Sequence, residues 1–324
     1  MRKIVNKEHI EGRLYDFDLA EKQVQNTGSK FYGSNFIAGS VDIATDEAGL
    51  NIVQIHYVFV QPTTSTGKAN STYTALKEIM NSGKTWIKDG AEAATLVKAD
   101  PSFALNDFYT KNGGSDELTL VSAKRNQGGF ISIAKSLNDN EALRSTFEVD
   151  MLINGTTVIS ADPEKNIDAD YLVVKGAVFD FRNAIMPVEF VVKDPNGIKY
   201  FEGLDATPAN PTFTKVWGTI NSSTIVTRKE EESAFGAPTV KEFTRTVREW
   251  IITGTSRPDA VYEIGDDKNG ITEEEVKKAL SDREIYLAGE KKRTEDYLAQ
   301  KAAGNTAPAA NATVASAAAG GFNF

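Results

Sequence analysis

Cysteine is missing from all 324 residues, and that one absence excludes disulfides, thiol nucleophiles, zinc ribbons and iron–sulfur clusters together. Histidine is nearly missing. Only His9 and His56 are present, too few for a catalytic metal centre built on several imidazoles. No stretch approaches the roughly 18 consecutive apolar residues of a membrane-spanning helix. The opening residues, Met1-Arg2-Lys3-Ile4-Val5-Asn6-Lys7-Glu8, are charged where a secretory signal would be apolar. The expectation is a cytoplasmic protein with no membrane partner, in which the glycosylation-like tripeptides at Asn70, Asn154, Asn221 and Asn311 are chance matches. A basic surplus is also lacking: 45 acidic against 36 basic residues leave a formal charge of −9. That disfavours coating duplex DNA through overall charge, while a local basic groove survives the objection.

Enzyme signatures are absent as well. Thr66-Gly67-Lys68 has the look of the end of a phosphate-binding loop, but the leading glycine is missing and Ala69 stands where Ser or Thr would hold magnesium. There is neither a Gly-x-Ser-x-Gly elbow nor a His-Glu-x-x-His pair. Carboxylate runs such as Glu230-Glu231-Glu232 and Asp266-Asp267 lie in polar stretches and read as solvated faces. His56, without a second ligand, reads as a residue that packs or hydrogen-bonds on a sheet face. The expectation is a non-enzyme with no catalytic residue, no metal and no cofactor. A carboxylate site assembled from distant residues is the enzyme reading that leaves no local motif.

What the sequence has in quantity is alternation of apolar and polar residues, the mark of half-buried strands, up to about residue 255. Residues 36–45 set Ile37, Val41 and Ile43 on one face and Ser40 and Asp42 on the other. Residues 51–61 set Val53, Ile55, Tyr57 and Phe59 together, with Gln54 and His56 opposite. Asp46-Glu47-Ala48-Gly49 supplies the turn of an antiparallel hairpin. A second hairpin is expected to join 117–123 to 129–135 through Lys124-Arg125-Asn126-Gln127-Gly128-Gly129, followed by a strand over 146–153. Tyr73, Leu76 and Met80 predict a helix over 70–81. The polar, proline-containing stretch 160–166 reads as a linker. Beyond it, strands are expected at 171–181, 187–193, 198–204, 213–220 and 243–253, with Pro195-Asn196-Gly197 as a tight turn. Thr272-Glu273-Glu274-Glu275 is a capping box opening a charged helix towards residue 300. Residues 301–324 are rich in Ala, Gly, Asn and Thr and cannot bury enough surface to fold alone.

Small strand-rich units with a glycine-initiated first strand and a helix after the third suggest the OB-fold. The fold expectation is therefore mainly β: two OB-like β-barrel modules at 1–158 and 168–256, a charged helical segment at 257–300 and a disordered tail at 301–324. A short internal similarity points to duplication. Glu11-Gly12-Arg13-Leu14-Tyr15-Asp16-Phe17 shares with Lys175-Gly176-Ala177-Val178-Phe179-Asp180-Phe181 the order charged, Gly, any, aliphatic, aromatic, Asp, Phe.

Binding single-stranded nucleic acid needs aromatic faces for base stacking and basic side chains to follow phosphates, and here the two interleave. Trp86 stands between Lys84 and Lys88. Lys124 and Arg125 approach Phe130 across the expected hairpin tip. Lys199 and Tyr200 adjoin, while Lys215 with Trp217, and Arg248 with Trp250, share strand faces. Packing is the alternative for any one of these tryptophans; recurrence favours binding.

The Gly12-Arg13-Leu14 segment, the hairpin Gly39-Ser40-Val41-Asp42-Ile43-Ala44-Thr45 and the flexible tail ending in Phe322-Asn323-Phe324 resemble bacteriophage-type single-stranded DNA-binding proteins over residues 8–155, and loosely over 170–255. The resemblance implies OB-folds that bind displaced single strands in phage or plasmid replication or recombination, with Arg13 among the contacts. It also implies a tail, here Phe322 and Phe324, that recruits replication proteins, although the acidic run usual before the last phenylalanine is missing. A virion or assembly protein using its strands for protein contacts is the alternative reading.

Overall fold

The period-two pattern builds an 11-stranded sheet. In chain order the strands are β1 (Asn6–Gln23), β2 (Asn35–Ala44), β3 (Ile52–Val60), β4 (Leu96–Lys111), β5 (Leu118–Ile133), β6 (Ser145–Ile159), β7 (Tyr171–Phe179), β8 (Ile185–Val192), β9 (Thr212–Glu231), β10 (Thr239–Thr255) and β11 (Tyr262–Glu263). Helix α1 (Ser71–Ser82) and the single turn α2 (Trp86–Asp89) lie between β3 and β4, α3 (Pro195–Glu202) lies between β8 and β9, and α4 (Glu273–Ala302) follows β11. This computed structural model describes residues 4–111, 117–162, 167–231, 235, 239–265 and 271–302, with backbone alone at 223–231 and 239–245.

The pairings form two closed cycles. In the first, β1 pairs with β2, β2 with β3, β3 in parallel with β5, β5 with β4, and β4 back with β1. The second repeats the scheme: β6 with β7, β7 with β8, β8 in parallel with β10, β10 with β9, and β9 back with β6. A short antiparallel ladder, Asn6–Ile10 of β1 against Ser145–Val149 of β6, joins them. Their interiors merge into one apolar cluster that includes Leu14, Val41 and Ile55 from the first cycle and Val174, Phe190 and Trp250 from the second. Each such side chain contributes roughly 1.5–3 kcal/mol through burial.

Local chemistry explains most helix ends. Asn70 caps α1, its side chain accepting from the Thr72 amide at 3.1 Å, and Leu76 and Ile79 are buried beneath it. The expected capping box opens α4: the Glu275 amide donates to Thr272 Oγ1 at 3.2 Å, and the Thr272 amide donates to Glu275 Oε2 at 2.9 Å. Val276 and Ala279 then pack with Phe179, Ile185 and Phe213. Arg283 clamps the helix to β4 through two 3.0 Å bonds to the Asp107 carboxylate.

Several expectations need correction. Residues 124–129 are not a hairpin turn, because β5 runs straight through them. Gly128 and Gly129 have φ of 63° and 78°, and between Asp100 and Ser102 the register with β4 shifts by one residue. The glycines thus make a bulge, which carries turn-like residues without ending a strand. Residues 112–116, between β4 and β5 in the chain, lie outside the described residues. The expected strand at 198–204 with its Pro195-Asn196-Gly197 turn is instead helix α3. Asp194 is its N-cap, accepting from the Gly197 amide at 2.8 Å, and Pro195 takes the first turn, where its missing N–H costs nothing.

The strands on either side of the expected linker, β6 and β7, pair with each other, so β6 groups with the second cycle rather than ending the first. A polar loop containing proline reads alike in a hairpin and between domains. The seven-residue similarity falls on β1, the first strand of its cycle, and on β7, the second strand of the other. What the two segments share is close strand approach: a Cβ at Gly12 would lie 2.0 Å from the Ala44 oxygen, and one at Gly176 2.1 Å from that of Leu152. The repeat is carried by the pairing scheme, not by that motif. The tail expected at 301–324, apart from its first two residues, lies outside the described residues.

Candidate nucleic-acid interface

The site begins with an irregularity in β1. Leu14 pairs with Ile43 and Asp16 with Asp42, so Tyr15 is an extra residue without a partner in β2. Bulges re-aim side chains, and Tyr15 and Phe17 both sit half-buried. Facing them is α2. Thr85 caps it, accepting from the Lys88 amide at 3.3 Å, and this fixes Trp86 as the first helical residue. The Trp86 ring centre lies 6.2 Å from that of Tyr15, the planes tilted by 46°. Gly49 of the β2–β3 turn floors the indole, since a Cβ there would come within 3.0 Å of it. The Lys88 ammonium stands 5.8 Å from the centre of the Phe17 ring, within cation–π range. Lys84 and Lys88 are exposed, and Trp86 is half-buried.

Arg13 borders this patch but is already engaged. Its guanidinium donates to the Ala91 oxygen at 3.1 Å and pairs with Glu47 at 3.3 Å. Glu47 also holds Arg144 at 2.7 Å, and these two cations keep its carboxyl below the usual range. Of the sequence candidates, the structure thus brings together Arg13, Lys84, Trp86 and Lys88, and adds Tyr15 and Phe17. Half-buried rings beside free ammonium groups can stack on bases while the cations meet phosphates.

The other candidates lie apart from this patch. Trp250 is corrected outright: it is 1% exposed, edge-on to Phe103 at 5.1 Å and stacked with Phe190 at 6.4 Å. No face is left for a base. Its indole N–H donates to Glu8 Oε1 at 2.9 Å. Lys124, taken for a hairpin tip, lies between the cycles, donating to the Glu189 oxygen at 3.1 Å with its ammonium 5.6 Å from the Trp250 ring centre. Burial lowers its pKa, and that of Arg125 on the same strand. Phe130 is exposed in a surface groove between α1 and β5, beside Thr74 and Ala75. Lys199 is exposed on α3 while Tyr200 packs against the core with its hydroxyl buried and unpartnered. Lys215 of β9 pairs with Glu148 at 2.6 Å. Trp217 is 41% exposed and lies over Gly254. Arg248 is exposed on β10. Phe322 and Phe324 lie outside the described residues.

A family model for YorF matches residues 4–293. The chain belongs to the YorF family. No curated protein matches it. Among solved structures it is similar to a deletion mutant of the single-stranded DNA binding protein from Thermus aquaticus, at 12% identity and a TM-score of 0.43, covering 80% of this chain and 96% of that one.

In this YorF-family chain, no three or more His, Asp or Glu side chains gather as a metal site among the described residues. Nor is any helix there long and apolar enough to cross a membrane. Sequence reasoning missed Tyr15 and Phe17 as candidate residues. The signal was present in the aromatic-x-aromatic spacing of β1, but it was absorbed by the apparent repeat.

Proposed function

We propose that the chain binds single-stranded DNA with little regard to sequence, without catalysis, in phage or plasmid DNA replication or recombination. The observation that carries this reading is the patch in which Tyr15, Phe17 and Trp86 keep partly open rings beside the exposed Lys84 and Lys88. The two pairing cycles support it. Each has a helix between its third and fourth strands and a parallel contact between its third and fifth. We read each as an OB-like barrel, a fold whose strand faces and loops bind oligonucleotides. In this reading Tyr15 and Trp86 stack on bases, and Lys84 and Lys88 displace counterions from phosphates.

Titrating the protein with oligothymidine while following tryptophan fluorescence tests the proposal. Quenching at low salt is expected, with weaker binding to duplex of equal length. Trp86→Ala should cost about 1–3 kcal/mol of affinity, the usual worth of one stacked base. Lys84→Ala with Lys88→Ala should flatten the salt dependence by up to about 1.4 units of slope. No quenching together with no mobility shift at low salt would refute the reading.

A further inference from the structure

The outer face of the first cycle carries a second cluster, at the place where the second cycle lies against it. Register sets Asp42 of β2 opposite Gln54 of β3, and Ser40 opposite His56. The parallel contact sets Gln127 of β5 beside His56. Side chains two residues apart share a face, so Arg125 stands with Gln127. The second cycle reaches onto this face. Arg248 of β10 donates to Gln54 Oε1 at 3.3 Å. The Ser222 amide donates to Asn51 Oδ1 at 2.7 Å, and Asn51 Nδ2 donates to the Ile220 oxygen at 3.1 Å.

The cluster is unevenly satisfied. Arg125 Nε and Gln127 Oε1 are buried and have no protein hydrogen-bond partner, an arrangement that is costly unless water or a ligand completes it. Both signs of charge stand on the face. Asp42 and its opposite neighbour Asp16 lie on the β1–β2 side; burial, and to a lesser extent Asp16, raise the Asp42 pKa, while its hydrogen bond with Gln54 and the nearby Arg248 guanidinium offset part of that. The cations Arg125 and Arg248 both act on His56, and burial together with these two charges pushes its imidazole down to about 4. On the far side of Arg125, Asp107 is neutralised by the two bonds from Arg283, and Tyr286 of α4 is the other titrating neighbour. A planar guanidinium with an unused N–H, a second guanidinium and a neutral imidazole together match the oxygens of a phosphate.

We propose that Arg125, Arg248 and His56 form a phosphate seat between the two cycles, which fixes one phosphodiester of a bound single strand. The proposal rests on the single-stranded DNA reading for the source of the phosphate, and it is separate from the aromatic patch. A backbone contact at the join positions the strand and carries no sequence information of its own.

Two histidines make the seat directly observable by NMR of the imidazole resonances. His9, whose ring is hydrogen-bonded to Asp100 at 2.8 Å, serves as the internal control. On adding oligothymidine to the full chain, the His56 titration should move upward, because a bound phosphate offsets the two guanidinium charges, while the His9 resonances report any change unrelated to the seat. Arg125→Gln with Arg248→Gln should weaken binding by about tenfold or more and lower the salt slope by up to about 1.4, with Trp86 quenching retained at saturation. Arg248→Gln alone, at an exposed position, should show part of both effects with unchanged thermal stability. If oligothymidine binds while the His56 titration and the salt slope of the variants stay unchanged, the seat is overturned and the DNA reading stands. If oligothymidine does not bind at all, the DNA reading fails, and inorganic phosphate becomes the probe. An upward shift of His56 with phosphate then supports the seat as an anion site, and an unmoved His56 overturns it.

Discussion

Glu8 offers the sharpest test of how the two cycles are joined. It sits on the β1 segment that pairs with β6 and is 3% exposed. One carboxyl oxygen accepts the Trp250 indole N–H, and the other is buried with no partner. Burial raises its pKa from 4.5 to about 8, and the indole hydrogen bond offsets only part of that. Between those two values the folded chain holds a proton that the unfolded chain has released. Its contribution to stability is therefore complete below about pH 4.5 and declines as pH rises through the window to about 8. At about 1.4 kcal/mol per pKa unit, the whole window amounts to on the order of 5 kcal/mol.

Glu8→Gln keeps an acceptor for Trp250 and the volume of the side chain while removing the proton. Urea unfolding at intervals from pH 5 to pH 8 should show the wild type losing several kcal/mol relative to the variant, with the two nearly equal at the acid end. His56 works in the opposite sense. Its pKa is depressed to about 4, so it adds stability as pH rises from about 4 to 6.5. Solvent screens that half-buried group, and it is common to both proteins, so it cancels in the difference. Parallel pH profiles for wild type and variant would refute the reasoning, because they would mean that Glu8 is ionised or solvated in the fold.

Arg283→Met should strand the Asp107 carboxylate, 3% exposed, and cost about 3–5 kcal/mol in chemical denaturation; a loss under about 1 kcal/mol, the scale of an exposed pair, would show that α4 is not clamped there. Thr272→Ala removes the cap of α4 and should cost about 1 kcal/mol, read as a drop in thermal midpoint, and an unchanged midpoint would contradict the capping geometry. Gly12→Ala forces a methyl group to within 2.0 Å of the Ala44 oxygen and should destabilise by about 1–3 kcal/mol; a neutral result would disprove the close approach of β1 and β2.

Much of the fold was legible because the signals were local. Alternation at 36–45 and 51–61 sufficed for β2 and β3, the spacing of Tyr73, Leu76 and Met80 for α1, and the Thr272–Glu275 box for the start of α4. The failures also have local causes. Gly128-Gly129 is as compatible with a bulge as with a turn, and only the β4 partner strand, a long way off in sequence, decides between them. Asp194-Pro195 was a legible helix start that lost to the turn propensity of Pro-Asn-Gly. The place of β6 could not be read at all, since one strand pairs with both cycles and its neighbours are set by tertiary contacts.

The site was less legible than the fold, and the three tryptophans show why. Trp86, Trp217 and Trp250 each have a lysine or arginine within two residues, so by sequence they are equivalent. In the structure one joins an aromatic patch, one lies on an outer strand face, and one is sealed in the core against Phe103 and Phe190. Alternation states which side chains share a face, but not which face points inward; that depends on how the strand's cycle closes. Trp250 goes inside because β10 lies at the join of the two cycles, where both faces of a strand can find neighbours. The cation beside such a ring is then drawn inward with it, as Lys124 is, or left at the rim, as Arg248 is. A pairing of aromatic and basic residues is therefore open to a ligand only where the ring lies outside the closed cycle, as Trp86 does on its single turn of helix.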